Sequence, residues 1–349
     1  MRHADLWVTY GAEGRARGLV RRLGEAIAGG AARLQVRAAV LSSVNEVLGA
    51  AALVVAIAAS RAGWLGGAPD GRTLFLFAIA FFLAYRPLRE LADARLSLAR
   101  AQGAYEDLGR FIEHASDVPA VAAIIQGTPA WPVASVELRS LQLAHGVGAA
   151  LTLRIEAGSI AVLAGPTGIG KTTLLRTLLG LERPMGGEVL FDGRPLGDAP
   201  AGPASRPFVW VPQDAPLVAD TLAANVALAA AEVGPGQALE ALAALETVGA
   251  EHLVAALGDG RLGAGGRAVS GGERQWIALA RAIATRQPVL LLDEPTSGLD
   301  GESQRRVLAA IARLRGKRTV LLVTHRPEPL AIADVVVRFD ARGAIERAA

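Results

Sequence analysis

The chain has 349 residues, with 36 Lys and Arg against 33 Asp and Glu and a formal net charge of +3. This length suffices for two domains, and so small an arginine excess argues against the strongly basic surface that nucleic-acid binding requires. Cysteine is absent from the sequence, which excludes disulfides and thiolate metal sites.

The opening of the chain is rich in arginine. Seven arginines fall within the first 37 residues, among small and apolar side chains, and we expect this stretch to be helical in part. A helix of this composition is equally typical of a solvated surface and of a membrane surface. Because the first long apolar run begins only after these arginines, we expect no signal peptide.

Two apolar runs follow, near residues 38–60 and 73–88, with a glycine-rich break between them. Spanning a bilayer takes about 20 apolar residues, and each run reaches that length only with its flanks. Seven arginines precede the pair and five lie between Arg86 and Arg110, whereas the connection has two. Positive residues concentrate on the cytoplasmic side of a membrane. The distribution therefore predicts a hairpin in the cell (inner) membrane with both ends in the cytoplasm; the alternative is two buried helices of a soluble domain.

The sequence pattern changes after the second apolar run. Residues 88–113 keep apolar positions three and four apart, which predicts a polar helix. Residues 114–132 contain three prolines and read as a linker. From residue 133 onward, short apolar runs alternate with helical patterns, which indicates an α/β domain. We therefore predict a helical region at 1–113, a linker at 114–132 and an α/β domain at 133–349.

A glycine-rich stretch in the α/β domain fits the phosphate-binding pattern G-x-x-x-x-G-K-[ST]. An apolar strand pattern precedes it and a helical pattern follows it, so backbone N–H groups and a helix N-terminus would point at one polyphosphate. We expect Lys171 to pair with the β- and γ-phosphates and the Thr172 hydroxyl to ligate Mg²⁺. The chain has only two lysines, the other being Lys317. The predicted nucleotide-binding residues of this stretch are Gly165, Pro166, Thr167, Gly168, Gly170, Lys171, Thr172 and Thr173.

Further polar residues stand where apolar strand patterns end. They are Gln213, the adjacent carboxylates Asp293 and Glu294, and His325. Hydrolysis of ATP requires a held Mg²⁺ ion, a positioned water and neutralisation of charge. We expect Asp293, Gln213 and Thr172 to hold the metal shell. Glu294 is expected to polarise the attacking water as general base, while Gln213 and His325 contact the water and the γ-phosphate.

The stretch from Ser270 to Glu273 reads S-G-G-E and opens a helical pattern. Taken alone, serine followed three residues later by glutamate is a helix-capping pattern. In the same way, an Asp-Glu pair after an apolar run is commonly a strand leaving the core, and a single histidine is more often structural than catalytic. The occurrence of all these stretches in one order along the chain favours a nucleotide-hydrolysing site.

With these motifs, residues 133–349 resemble the nucleotide-binding domain of an ATP-binding-cassette (ABC) transporter. The resemblance implies an α/β P-loop NTPase fold, binding of ATP and Mg²⁺, and ATPase activity. The matching motifs are the first Walker motif at Gly165–Thr172, the Q-loop at Gln213, the signature at Ser270–Glu273, the second Walker motif at Leu290–Glu294, the D-loop at Ser297–Asp300 and the switch histidine at His325.

The resemblance also implies a partner, because two such domains sandwich two ATP molecules in this family. Ser270 and Gly272 would then act across the interface on the γ-phosphate bound by the opposite domain. Gly271, Glu273 and Asp300 are assigned to the same nucleotide-binding group. The partner domain could complete either a homodimer or a heterodimer.

Parts of the chain depart from the family pattern. His145 stands where the family often has an aromatic residue that stacks on adenine, and its smaller face predicts weak discrimination among purine nucleotides. Trp276 stands where arginine is common. The first 113 residues more weakly resemble the last two membrane helices of an exporter half-transporter, which usually has six. Four helices would then come from a partner chain, or the sequence is the C-terminal piece of a split or truncated gene.

We therefore predict an ATP-hydrolysing subunit of an ABC transporter of exporter type, with an unknown substrate. Its fold would be an ABC ATPase domain preceded by an α-helical region. The alternatives are a soluble ABC ATPase that drives a separate permease, and a truncated transporter remnant. A cassette ATPase of DNA repair or chromosome organisation is disfavoured, because no long coiled-coil insertion separates the two Walker motifs.

Overall fold

The computed structural model describes residues 4–22, 132–145, 150–230, 233–263, 266–339 and 345–348, with scattered residues between 24 and 80. The chain forms two compact units, one of Met1–Leu19 with Ala122–Ala349 and one of Val20–Val121. Most of the predicted hairpin, the polar helix at 88–113 and nearly all of the linker lie outside the described residues. Among the residues that are described, no helix combines the length and the apolar composition needed to cross a membrane.

A mainly parallel sheet lies at the centre of the larger unit. Its strands are near-continuous runs of Val, Leu and Ile because both faces of a parallel sheet are covered, and the strand Thr319–Thr324 is buried at every position. In the described part of the chain, six strands have the order β10-β9-β3-β8-β7-β6, with only β10 antiparallel. They are β3 Ile160–Ala164, β6 Phe208–Val211, β7 Val289–Asp293, β8 Thr319–Thr324, β9 Val335–Phe339 and β10 Ile345–Ala348.

A second, antiparallel sheet packs its apolar face against the central sheet. Its strand Leu151–Ile155 alternates buried and exposed residues, as expected of a sheet with one solvated face. Leu138 and Leu153 of this sheet share a buried cluster with Leu163 of β3. The strand order is β2-β1-β4-β5, with β1 Val136–Gln142, β2 Leu151–Ile155, β4 Gly186–Phe191 and β5 Arg194–Pro195.

Helices cover both faces of the central sheet, as the α/β pattern predicts. The longest ones are amphipathic or apolar and bury one stripe in the core. Residues 13–22 are also helical, and a 3₁₀ helix spans Glu328–Ile332. The α-helices are α1 Ala4–Thr9, α2 Lys171–Leu179, α3 Leu222–Val226, α4 Pro235–Val248, α5 His252–Leu257, α6 Gly271–Ala284 and α7 Gly301–Ala312.

The first residues of the chain pack against the α/β domain, which differs from their predicted grouping with residues 20–113. Leu6 and Tyr10 are buried in the cluster that contains α4, α6 and β6. The Tyr10 hydroxyl donates to the carbonyl oxygen of Trp210, at 2.8 Å. The Tyr10 ring also lies 5.8 Å from the guanidinium carbon of Arg281, in cation–π contact. Burial of an aromatic side chain and satisfaction of its hydroxyl are the physical reasons for this packing.

Polar contacts fix the same segment at both ends. Arg15 donates to the carbonyl oxygens of Ala224 and Ala227 at the end of α3, at 3.1 and 3.2 Å. Cations are favourable at a helix C-terminus because carbonyl groups there lack intrahelical partners. Asp5 pairs with Arg176 at 2.6 Å. The N-terminal segment therefore belongs to the larger unit and packs against β6 and α3.

Because Tyr10 is buried, we expect the free energy of unfolding to fall at alkaline pH. Burial raises the pKa of the phenol above its ordinary value, and the positive charge of Arg281 partly opposes this. Since the folded state holds the proton more tightly, the stabilisation is complete below the unfolded pKa of about 10 and is lost as pH rises above it, by up to about 1.4 kcal/mol per pH unit. Tyr10→Phe should remove this dependence and cost about 1 kcal/mol at neutral pH for the lost hydrogen bond.

The measurement is the free energy of unfolding in urea from about pH 8 to about pH 11 for both proteins. The curves should converge at alkaline pH. Parallel curves would show that the Tyr10 phenol is not the source of the pH dependence.

Candidate functional site

Residues 165–170 form a glycine-bounded loop between β3 and α2. Gly168 and Gly170 have φ of +86° and +100°, a region that glycine enters without steric cost. A Cβ at Gly165 would lie 3.0 Å from the Cβ of Phe339. The Gly170 N-cap gives α2 no side-chain cap, so the first N–H groups of the helix are open to an anion. The glycine conformations and the uncapped start of α2 therefore lie together, as an anion site at a helix N-terminus requires.

Lys171 is the first residue of α2, and its side chain reaches back to this loop. Its side-chain nitrogen donates to the carbonyl oxygens of Gly165 and Pro166, at 2.8 Å each. Burial lowers the pKa of Lys171, against the opposing effect of Glu294 and Asp293. The ammonium group is thus held at the loop, within electrostatic reach of two carboxylates.

The adjacent carboxylates of Asp293, the last residue of β7, and Glu294, just after the strand, have different partners. The Thr172 hydroxyl donates to Asp293 Oδ2 at 3.1 Å. Asp293 is 5% exposed, and burial raises its pKa against the lowering effect of that hydrogen bond. A cation next to this pair would favour the ionised carboxylate. The residues that could hold a cation here are therefore Thr172 and Asp293.

Hard oxygen ligands of this kind suit Mg²⁺, which commonly binds through one or two protein oxygens together with substrate phosphates and water. Within the described ranges there is no group of three or more His, Asp or Glu side chains able to enclose a metal ion. Thr172 and Asp293 therefore suit a metal that shares its coordination with a phosphate ligand.

Glu294 bridges two of the other predicted residues. Gln213 donates from Nε2 to one Glu294 oxygen at 3.0 Å, and Nδ1 of His325 lies 2.6 Å from the other. The Glu294 side chain is 14% exposed, against 46% for His325. The backbone of Glu294 has φ of +48°, a conformation that costs a non-glycine residue of order 1–3 kcal/mol. With this turn, the consecutive carboxylates of Asp293 and Glu294 contact different partners.

The structure thus brings one group of predicted residues together at the carboxyl edge of the central sheet. The strands β3, β6, β7 and β8 end at the same edge because they run parallel, and ligands of open α/β sheets bind at that edge. The residues of this group are the phosphate loop with Lys171 and Thr172, then Gln213, Asp293, Glu294 and His325.

The signature residues form a second group. Ser270 caps α6: its hydroxyl accepts from the N–H of Glu273 at 3.2 Å, and its own N–H donates to the Glu273 carboxylate at 2.7 Å. The capping interpretation of S-G-G-E is therefore confirmed. Ser270, Gly271, Gly272 and Glu273 also line an open cleft of about 320 Å³ that contains no residue of the phosphate loop.

Asp300 lines the same cleft and caps α7. It accepts from the N–H groups of Glu302 and Ser303, at 3.0 and 2.9 Å, and from the Ser303 hydroxyl at 2.9 Å. These hydrogen bonds, those of Ser303 first, lower the pKa of Asp300. Asp300 therefore stays ionised at neutral pH and holds the turn between β7 and α7.

The remaining predicted residues lie at the surface. Pro166, Thr167 and Gly168 form the exposed part of the phosphate loop, and Thr173 is half-buried in the first turn of α2. His145 is exposed beyond the end of β1, next to residues 146–149, which lie outside the described residues. Its predicted stacking on a base stays a prediction.

Two residues of α6 have contacts that were not predicted: Trp276, noted in the sequence only as a departure from the family pattern, and Gln275, which was not singled out. Trp276 is buried, and the guanidinium carbon of Arg306 lies 6.0 Å from its ring centroid, so the tryptophan supports a cation at the wall of the signature cleft. Gln275 is also buried and donates to the carbonyl oxygen of Gln213 at 2.8 Å. A glutamine within the apolar stretch of a helix was the available signal, because a buried amide needs a partner.

Comparison with known proteins places this site in a family. A family model described as ABC transporter matches residues 149–297, and a model of an AAA domain, putative AbiEii toxin, matches residues 266–331. An ATP-dependent lipid A-core flippase of Burkholderia orbicola is 34% identical over 77% of this chain and 46% of its own length. The glutathione/L-cysteine transport system ATP-binding/permease protein CydC of Escherichia coli is 32% identical over 88% of this chain and 54% of its own length.

A solved structure of a bacterial Atm1-family ABC exporter with ATP bound superposes with a TM-score of 0.58 and 25% identity, over 97% of this chain and 60% of that one. The chain spans about half the length of the two curated relatives. The matched residues include the phosphate loop, the signature, Asp293 and Glu294. This chain therefore contains a nucleotide-binding ATPase domain of the ABC transporter family.

Proposed function

We propose that this chain is the ATP-hydrolysing subunit of an exporter-type ABC transporter, in which ATP binding and hydrolysis at a domain interface drive a substrate across a membrane. The names of the relatives, a flippase, an ATP-binding/permease protein and an exporter, support transport. The main support within the molecule is Glu294, which is held between Gln213 and His325 and lies within electrostatic reach of Lys171.

ATP would bind along the loop between β3 and α2. Backbone N–H groups from Gly165 to Gly170 and the N-terminus of α2 would receive the phosphates, together with Lys171 and the Thr173 hydroxyl. His145 would stack on the base. Because most of the binding energy would come from phosphate contacts, we expect little discrimination between ATP and GTP.

Mg²⁺ would be held by Thr172 and Asp293, with Gln213 in reach of its shell. When bound, the ion would neutralise charge on the β- and γ-phosphates. Only the amide oxygen of Gln213 can face a cation, and the hydrogen bond from its NH₂ group to Glu294 fixes the orientation of that amide. Gln213 would therefore link the metal shell to the general base.

Hydrolysis would use Glu294 as the base. Its carboxylate would take a proton from the water that attacks the γ-phosphorus, and the bond to the ADP oxygen would break. His325 Nδ1, at 2.6 Å from Glu294, would hold the carboxylate in place and direct the remaining ring nitrogen toward the γ-phosphate. Lys171 would neutralise the charge that develops there.

The signature cleft would serve a second ABC ATPase domain. Since it contains no phosphate-loop residue, Ser270, Gly271 and Gly272 would bind the γ-phosphate held by a partner, with Glu273 and Asp300 fixing the helix starts. The partner would be a copy of this chain or a related chain. The hairpin near 38–60 and 73–88 would lie in a lipid membrane, joined by further transmembrane helices from a partner chain, with the ATPase domain in the cytoplasm.

The test of this proposal is ATP hydrolysis by fractions of cells that express the full chain. We expect activity in the membrane fraction that Glu294→Gln abolishes. Activity confined to the soluble fraction would favour a soluble ATPase that drives a separate permease. Absence of ATP hydrolysis from both fractions, with the protein present and folded, would contradict the proposal.

Substitution of Ser270 separates its capping role from phosphate binding. Asp and Asn cap a helix about as well as Ser, so Ser270→Asp and Ser270→Asn should both keep the free energy of unfolding within about 0.5 kcal/mol. A carboxylate facing the partner's γ-phosphate should lower the ATPase rate about 100-fold, because like charges at an interface cost several kcal/mol. The neutral Ser270→Asn should lose much less.

The measurements are urea unfolding and the rate of phosphate release for the two variants. Equal ATPase rates in Ser270→Asp and the unmodified protein would mean that Ser270 only caps α6.

A further inference from the structure

We propose that Gln275 is a positioning residue for ATP hydrolysis: it fixes the backbone at Gln213 and, through the Gln213 side chain, the orientation of Glu294. This inference rests on the proposed function, because it concerns the same hydrolytic site. Gln275 lies on α6, and none of its hydrogen bonds in the described chain reaches the phosphate loop.

The contacts form a continuous path from α6 to the carboxylate. Gln275 is 4% exposed, and its Nε2 donates to the carbonyl oxygen of Gln213 at 2.8 Å. Gln213 in turn donates from its side chain to Glu294 at 3.0 Å. Two hydrogen bonds thus connect a buried side chain of α6 to the expected base.

Gln213 needs such support because it lies beyond the sheet. Strand β6 ends at Val211, so hydrogen bonds between strands do not fix the following turn. The turn is tight: Ala215 has φ of +41° and its N–H donates to the Pro212 carbonyl at 3.1 Å. Without an external anchor, Gln213 would be free to turn away from Glu294.

A second side chain of α6 fixes the far end of the same turn. Arg281 is fully buried and donates from its guanidinium group to the carbonyl oxygen of Pro216 at 3.0 Å. Gln275 and Arg281 therefore hold the segment 213–216 at both ends from one rigid helix. Because Ser270 caps that helix, the signature cleft and the Gln213 turn share one support.

The Gln275 amide hydrogen-bonds through its NH₂ group but, among the described residues, not through its oxygen. This indicates that the donated hydrogen bond is the reason for a glutamine at this position. Its Oε1 atom is buried without a hydrogen-bond partner among the described residues. A buried unsatisfied acceptor destabilises a fold, whereas an apolar side chain of the same shape would avoid that penalty. Packing alone would therefore favour methionine or leucine at this position.

The chain offers a matched control in Gln287. It is also a buried glutamine, 1% exposed, whose Nε2 donates to a backbone carbonyl, that of Pro203, at 3.2 Å. Its Oε1 is likewise buried without a partner in the described part of the chain. No hydrogen bond of Gln287 within the described ranges reaches a residue of the hydrolytic site. Gln287→Met therefore removes the same kind of hydrogen bond away from that site.

The experiment compares Gln275→Met and Gln287→Met in the full chain. We expect Gln275→Met to lower kcat for ATP about tenfold, as for one lost hydrogen bond, with KM within about twofold. Gln287→Met should leave both constants within about twofold. If Gln275→Met does not fold, Gln275→Leu replaces it, because a smaller apolar side chain also fits a buried site and cannot donate.

Hydrogen exchange of the backbone amides between residues 211 and 216 gives a second readout that needs no turnover. Exchange should be at least about tenfold faster in Gln275→Met and unchanged in Gln287→Met. Unchanged kcat or unchanged exchange in a folded Gln275 variant would overturn the inference, as would an equal loss of kcat in Gln287→Met. If the unmodified chain shows no ATPase, the proposed function fails, and exchange alone decides whether Gln275 anchors the turn.

Discussion

Replacement of Glu294 by glutamine is expected to reduce ATP turnover at least about 100-fold, the contribution of a general base, while ATP affinity stays within about twofold. The amide has the same shape and can still accept the hydrogen bond that Gln213 donates at 3.0 Å, so the site should keep its form. It cannot take a proton from water. Binding of a fluorescent ATP analogue and release of phosphate measure the two effects separately.

A matched control is Glu246→Gln on the exposed side of α4, which removes the same charge away from the site. It should leave turnover unchanged. Hydrolysis by Glu294→Gln at the rate of the unmodified protein would show that another group, with His325 the nearest candidate, activates the water.

Replacement of Lys171 by alanine is expected to weaken ATP binding about 10- to 100-fold, because a hydrogen bond to a charged group is worth about 1.5–3 kcal/mol. The position of the Lys171 side chain explains why ATP binding, and not only the hydrolytic step, should be affected. The ammonium group is already held in the loop by the carbonyl oxygens of Gly165 and Pro166, so it is in place before the nucleotide arrives. Its removal also leaves Asp293 and Glu294 to repel the phosphates.

The matched control is Lys317→Ala, since the chain has only these two lysines and Lys317 is exposed in the turn after α7. Titration with the same ATP analogue should separate the two variants. Equal affinity in Lys171→Ala and Lys317→Ala would contradict the assignment of Lys171 to the phosphates.

The strands, the phosphate loop and the convergence of the catalytic candidates could be predicted from sequence. Continuous apolar runs indicate parallel strands, and the carboxyl ends of parallel strands meet at one edge of a sheet. Gln213, Asp293 and His325 each follow such a run, so their approach to the phosphate loop followed from the pattern. The individual bonds of Glu294 did not follow, because they depend on its left-handed backbone at φ +48°.

The packing of the first residues could not be predicted. The hydroxyl of Tyr10 bonds to a carbonyl 200 positions away in the chain, and no local pattern encodes so distant a contact. Arg281 likewise breaks the rule that arginine is rarely fully buried; its guanidinium group is satisfied by carbonyl oxygens of Pro216 and Asn225. These contacts are tertiary, and sequence periodicity reports only which face of an element is apolar.

The most direct test of the central claim is the specific ATPase activity of the purified full chain over a wide range of protein concentration, with molar mass measured in parallel. We expect activity per chain to rise with concentration as dimers form, because each proposed hydrolytic site is completed by the signature residues of a second domain. A protein that stays monomeric and hydrolyses ATP at a constant specific rate would contradict it.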